Sequence, residues 1–325
     1  ARAALLARLT RQREDAPALE TPRGFRELPG QREMALIRDA AASLQLENPF
    51  FRAHDGIAAA HSRIGGREVI NFGSYNYLGL NGDPRVQAAA KAAIDTYGVS
   101  ASASRMVSGE RPLHGALEAA LAAHYRAQAA VVFVSGHATN VTVIGHLLGL
   151  RDLILHDAAI HNSCTEGARL SGAKRLSFPH NDWRAAEAAL KESRRGARRA
   201  LLVIEGHYSM DVDIPDLPRF IEIARRHDAW LMVDDAHGGG ILGTNGRGTA
   251  EHFGCLDKID LQMGTFGKAF GSFGAYLAAK RDIVDTLINR ARSFVFSTSL
   301  PPSILAANIA ALNLVAGDEG KRRRS

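Results

Sequence analysis

Lys268 stands in Met263-Gly264-Thr265-Phe266-Gly267-Lys268-Ala269-Phe270-Gly271, directly after a strand read over 260–265. A lysine amine among small residues can be reached by a carbonyl carbon and can form an imine with it. A second strand closes on Val233-Asp234-Asp235-Ala236-His237. A carboxylate ending so apolar a run must find a partner or face solvent, and a protonated pyridine nitrogen is a fitting partner. An imine-forming lysine and an aspartate that keeps a pyridine ring protonated are what pyridoxal phosphate (PLP) chemistry requires, because the protonated ring then acts as an electron sink. The same lysine, its pKa lowered by the site, can also act as a proton-transfer base. Singly, each has an ordinary alternative: a surface lysine in a Gly-rich loop, and a helix N-cap aspartate.

Further candidates gather around this pair. His237 lies three residues beyond Asp234, where it can touch the cofactor's 3-oxygen or a substrate carbonyl, and Gly238-Gly239-Gly240 leaves room for a ligand. Ser135-Gly136-His137 follows a strand and opens a helix, so its backbone N–H groups can cradle an anion. Ser297-Thr298-Ser299 can add phosphate contacts, or simply end a strand. His161 is a flat ring able to stack on a pyridine, or a helix-start histidine satisfied by its own chain. Ser209, in the loop after Glu205, can donate to the 3-oxygen, or sit in a polar turn.

The elements that must position these groups alternate. Strands are read at 130–135, 152–156, 174–178, 200–205, 229–234, 260–265 and 275–279, with helical segments between most of them. This predicts an α/β fold with a mainly parallel seven-stranded sheet and helices on both faces. The link 267–274 is too short for a helical crossover, so the last two strands should run antiparallel. Ligands collect at the carboxyl ends of such strands, and Ser135, His156-Asp157, Glu205, Asp234 and Thr265 all fall there. Before the sheet, Gly65-Gly66 signals a hairpin, and Asp83-Pro84 an N-cap with first-turn proline.

The 325 residues are 46% hydrophobic, enough for one large domain plus appendages. The formal charge of +6 comes partly from arginines near the start, a cluster at Arg194, Arg195, Arg198 and Arg199, and Lys321 to Arg324. Scattered and without interleaved aromatics, these read as solvated surface rather than a nucleic-acid face. Two cysteines make no disulfide framework or zinc spacing and fit a reducing, cytoplasmic setting. No run is long enough to span a membrane. The organisation expected is a helix remnant and linker over 1–30, an N-terminal segment over 31–75, a PLP-binding large domain over 76–310, and the start of a truncated C-terminal region over 311–325.

Taken in order, the motifs resemble the α-oxoamine synthases, a branch of the fold type I PLP-dependent transferases. Those that carry the resemblance are Tyr75-Asn76-Tyr77-Leu78-Gly79-Leu80, Ser104-Arg105 with His114, Ser135-Gly136 with Asn140, His180-Asn181-Asp182, and Glu205-Gly206 with Ser209-Met210-Asp211. Beyond these come Asp234-Asp235-Ala236-His237-Gly238, Gly246-Arg247-Gly248, Thr265-Phe266-Gly267-Lys268, and Ser297-Thr298-Ser299 with Pro301-Pro302. The resemblance implies decarboxylative condensation of glycine, alanine or serine with an acyl thioester on coenzyme A or a carrier protein, giving an α-aminoketone. It makes Lys268 the Schiff-base lysine, Asp234 the pyridine partner, His161 the stacking ring and His237 the contact to the 3-oxygen or substrate. Ser209 falls near the 3-oxygen. Thr265 and the Ser135-Gly136-His137 turn bind phosphate, and Thr298 reaches the phosphate of a partner subunit in a homodimer. Members embedded in polyketide synthases look closest. The pattern differs in having Gly238 and Gly267 where many relatives have serine, and in ending before the region that supplies a carboxylate-binding arginine. An aminotransferase or aldolase, or a non-catalytic dimer partner, are the alternative readings.

Overall fold

The computed structural model describes residues 28–325, so the expected linker over 1–30 lies almost wholly outside the described residues. The chain forms two compact units, up to His54 and from Asp55 onward. The described part of the first holds helix α1 (Gln31–Ser43), which buries none of its side chains.

The second unit opens with a hairpin, β1 (His61–Ile64) against β2 (Arg67–Ile70). Gly65 and Gly66 both have positive φ, 56° and 77°. That is the backbone a two-residue turn needs to match the strands' twist. Helix α2 (Pro84–Tyr97) then starts as its sequence dictates, with Asp83 accepting from the Arg85 N–H and Pro84 in the first turn.

The body of the unit is a seven-stranded sheet ordered β3-β9-β8-β7-β6-β4-β5. Its strands are β3 (Ala129–Phe133), β4 (Leu153–Asp157), β5 (Lys174–Phe178), β6 (Ala200–Glu205), β7 (Trp230–Asp234), β8 (Leu261–Thr265) and β9 (Ala275–Ala279). Only β9 runs against the rest, paired antiparallel with both β8 and β3. The short Gly-rich link from β8 allows no other geometry.

Strand alternation sends side chains to both faces of the sheet, where they form three cores. Val131, Phe133, Ile154, Val203, Met232 and Leu277 pack on one face with Val143 and Ile144 of helix α4 (Gly136–Leu147). On the other face Val132 and Tyr276 meet Leu117 and Leu121 of helix α3 (Pro112–Tyr125), while Leu202, Ile204 and Val233 meet Phe220. Each fully buried Leu, Ile, Val or Phe contributes about 1.5–3 kcal/mol relative to exposure. The sheet is thereby a rigid platform for groups at its edge. Leu305, Leu312 and Val315 of the helix Pro302–Ala316 belong to one cluster, so the boundary expected at 310 falls inside a helix that packs as a single element.

One polar hub underlies the site. Asp235 is buried and accepts from the Thr249 N–H and Oγ1, both at 2.8 Å, and from Gln262 Nε2 at 3.3 Å. It explains Gly238, one of the two departures from the family pattern. A Cβ on Gly238 would lie 2.1 Å from Asp235 Oδ1 and 2.8 Å from Thr249 Oγ1. A Cβ on Gly267, the other departure, meets nothing nearer than Thr265 Oγ1 at 3.5 Å. Gly238→Ala is therefore expected to cost about 1–3 kcal/mol through overpacking, read as a fall in Tm of roughly 3–8 °C. Gly267→Ala should melt with the parent.

Candidate active site

The carboxyl ends of β4, β6, β7 and β8 and the start of α4 enclose a cavity of about 670 Å³. Gly136, His137, His161, Ser209, Asp234, His237, Thr265 and Lys268 all line it, together with Asn140, Ser163, Glu205 and Tyr75. Ser135 and Thr298 do not. Ser135 Oγ caps α4 by accepting from the Ala138 N–H at 3.1 Å, so its contribution is to hold the helix start. Thr298 is exposed, outside its own chain's cavity.

Lys268 Nζ is 2.9 Å from His237 Nε2, and Tyr77 Oη is 2.9 Å from His237 Nδ1. An ammonium at Lys268 donates to Nε2, which leaves the imidazole proton on Nδ1 to be donated to Tyr77. Burial, then the positive charge of Lys268, hold His237 at about 4, so the ring is neutral. Burial also lowers the Lys268 ammonium pKa, against the opposing pull of Asp234 and Glu205.

Asp234 is 4% exposed and forms no ion pair among the described residues. Its Oδ2 accepts from Asn140 Nδ2 at 2.6 Å and its Oδ1 from the Ala236 N–H at 3.1 Å. The same Asn140 amide donates to Ser163 Oγ at 2.9 Å, and Ser163 Oγ lies 2.7 Å from His161 Nδ1. That nitrogen also accepts from the Ser163 N–H, which leaves the His161 proton on Nε2. The His161 backbone N–H donates to Glu205 Oε1 at 2.8 Å. Asn140, Ser163, Glu205 and Tyr77 thus orient the groups read from sequence. Asn140, Glu205 and Tyr77 lay within motifs already quoted and Ser163 stands two residues beyond His161, but only the fold shows whom they touch.

The residues fit PLP on three observations. Asp234 is a buried carboxylate facing the cavity without a cation, as a protonated pyridine nitrogen would require. The Gly136 and His137 N–H groups are the first of a twelve-residue helix and bond no carbonyl of the described chain, a ready phosphate cradle. Thr265 Oγ1 stands beside them, accepting from the Gly267 N–H at 3.1 Å and donating to the Gly274 carbonyl at 3.0 Å, a hydrogen it would redirect to bind phosphate. Lys268 supplies the amine.

Glu205 is the site's second buried acid. Burial, then the charge of Asp234, pushes its carboxyl from the ordinary 4.5 up to about 8. Between pH 4.5 and 8 the folded chain keeps a proton that the unfolded chain has released. The contribution of Glu205 to stability is therefore fully present below 4.5, declines as pH rises, and levels off above 8. Glu205→Gln keeps an acceptor for His161 without the charge. In the cofactor-free protein its Tm relative to the parent should climb from pH 5 to 8 and then plateau. A difference independent of pH would contradict a buried, proton-retaining Glu205.

The aminotransferase class I and II family profile matches residues 67–324. A curated 8-amino-7-oxononanoate synthase from Pelobacter propionicus is 50% identical over 273 residues, 84% of this chain and 70% of the relative. Among solved structures, the Sphingomonas wittichii serine palmitoyltransferase superposes with a TM-score of 0.85 at 33% identity, covering 89% of this chain and 73% of that one. A serine palmitoyltransferase from S. paucimobilis with bound PLP–myriocin aldimine superposes with a TM-score of 0.85 at 30% identity, covering 89% and 75%.

Proposed function

Since the chain belongs to the aminotransferase class I and II family and, within it, to the α-oxoamine synthases, we propose that it condenses a small amino acid with an acyl thioester. The reaction forms a bond from the amino acid's α-carbon to the acyl carbon, releases the thiol and carbon dioxide, and leaves an α-aminoketone. The observation that carries this reading is the pairing, in one cavity, of the Lys268 amine with the uncompensated carboxylate of Asp234.

PLP, when bound, supplies an aldehyde for the amino group and a ring that accepts the electron pair left at the α-carbon. Asp234, held by Asn140 and the Ala236 N–H, presents its charge to the ring nitrogen and keeps a proton there. His161, braced by Ser163 and Glu205, covers the ring face. Gly136, His137 and Thr265 hold the phosphate, and Ser209 the 3-oxygen. Lys268 removes the α-proton, and its lowered pKa leaves more of the amine free to do so. When Lys268 is no longer an ammonium donor, Tyr77 Oη can donate to Nδ1 instead, and neutral His237 then carries its proton on Nε2, from which it offers a hydrogen bond to the thioester carbonyl oxygen as negative charge develops there. In our reading the protein works in the cytoplasm as a homodimer, with Thr298 completing the phosphate site of the partner. Exposed Phe72 and Phe296 in the described chain support such an interface.

The test supplies PLP, glycine, alanine or serine, and an acyl-coenzyme A. One carbon dioxide per free thiol is the expected result. Formation of an oxo acid without carbon dioxide would establish transamination instead.

A further inference from the structure

The run Lys321 to Arg324, expected to be solvated charge, is instead the last turn of a helix, Asp318–Arg324, two of whose arginines reach the loops around the site. Arg323 Nη1 donates to the Leu78 carbonyl at 2.7 Å, Nη2 to Asp83 Oδ2 at 2.8 Å, and Nε to Glu319 Oε1 at 2.8 Å. Arg324 donates to the carbonyls of Val315 at 2.9 Å and Thr244 at 2.8 Å, and more weakly to Gly240 at 3.4 Å. Residues 75–83 and 238–248 are the two loops that meet at His237, the first through Tyr77 and the second by sequence.

The 75–83 loop also bears on the lysine. A Cβ on Gly271, at the end of the Lys268 turn, would lie 2.3 Å from the Asn81 nitrogen and 2.9 Å from Asn76 Oδ1. Backbone therefore rests on backbone there. Within the loop, Asn76 Oδ1 accepts from the Asn81 N–H at 3.1 Å and the Asn76 carbonyl from the Gly79 N–H at 3.0 Å. The loop is a single stiff turn whose outer side Arg323 grips at two points, one of them the carbonyl next to Tyr77. A planar guanidinium holding a carbonyl and a carboxylate together fixes orientation as well as distance.

We propose that Arg323 is a positioning residue for the reaction: by clamping Leu78 and Asp83 it sets Tyr77 against His237 Nδ1, and so keeps His237 Nε2 aimed at Lys268. The proposal rests on the roles given above to His237 and Lys268. Arg323→Ala should lower kcat roughly 10–100-fold, as a small misplacement of catalytic groups does, with KM for the amino acid changed less than about twofold. Arg323→Lys, which cannot make both bonds with fixed geometry, should fall between. Tyr77→Phe should cost a similar factor, and the double variant no more than the larger single one, because both break one chain of contacts.

A readout independent of turnover is backbone hydrogen exchange in the cofactor-free protein. In Arg323→Ala, residues 75–83 should exchange faster while the strands keep parental protection. Unchanged exchange at 75–83, or losses that multiply in the double variant, would overturn the proposal. If Arg323→Ala does not fold, Arg323→Lys and Asp83→Asn carry the same exchange test. A parent with no condensation activity would sink the functional reading, and the exchange result would still decide the clamp.

Discussion

Lys268→Ala should lose turnover by on the order of 10⁴-fold or more, since in the proposed mechanism the change removes both a covalent anchor and a proton-transfer base, and a positioned base alone contributes up to about 10⁴. The fold should survive. Lys268 sits in a turn after β8, partly exposed, and among the described residues its side chain hydrogen-bonds to His237 alone. Removing a desolvated amine leaves no buried partner unsatisfied among the strands, so Tm in the cofactor-free state should stay within a few degrees of the parent. Loss of His237's cationic neighbour has a separate signature. The imidazole pKa, held near 4 partly by the Lys268 charge, should rise toward the ordinary histidine value, which NMR titration of the His237 ring would read. A Lys268→Ala protein retaining more than a hundredth of parental kcat would remove the lysine from the chemistry and favour a scaffold role.

Asp234→Asn should lower kcat by about 10²–10³, the usual cost of deleting one preorganised electrostatic group at the reacting centre. A neutral amide cannot hold a proton on the pyridine nitrogen, so the electron sink weakens while the cavity keeps its shape. Asparagine also cannot accept from both Asn140 Nδ2 and the Ala236 N–H, so one donor loses its partner, at about 1–3 kcal/mol. KM for the acyl thioester should change far less than kcat, because Asp234, buried in the cavity lining, would act on the bound ring rather than touch the thioester. Equal loss in kcat and in thioester KM would mean that Asp234 shapes the substrate pocket rather than the ring's electronics.

Much of this was legible in the chain because the sheet is buried on both faces. Continuous apolar runs such as Leu201 to Ile204 could hardly be anything else, and β5, β6 and β9 have the bounds read from sequence. The reversed direction of β9 followed from the length of one link. The strand-end rule gathered Ser135, His156-Asp157, Glu205, Asp234 and Thr265; Glu205, Asp234 and Thr265 do line the cavity, while Ser135, His156 and Asp157 do not. What sequence did not reveal are contacts that depend on that direction across long separations. Asn140 meets Asp234 across 94 positions and Tyr77 meets His237 across 160. Spacing carries no trace of either. Ser135, read as a phosphate ligand, uses its hydroxyl as a cap, which strand-to-helix turns do as readily. The terminal arginines misled for a related reason. Charge composition suggests solvent, but Asp83, some 240 residues away, draws Arg323 inward.

The most direct measurement is the absorbance spectrum of the purified protein with added PLP, before and after glycine, alanine or serine. If the cavity binds PLP through Lys268 and passes it to an amino acid, a visible imine band appears in the parent, is absent in Lys268→Ala, and shifts with the true substrate. A folded parent that shows no such band at saturating PLP would contradict the catalytic reading of this site.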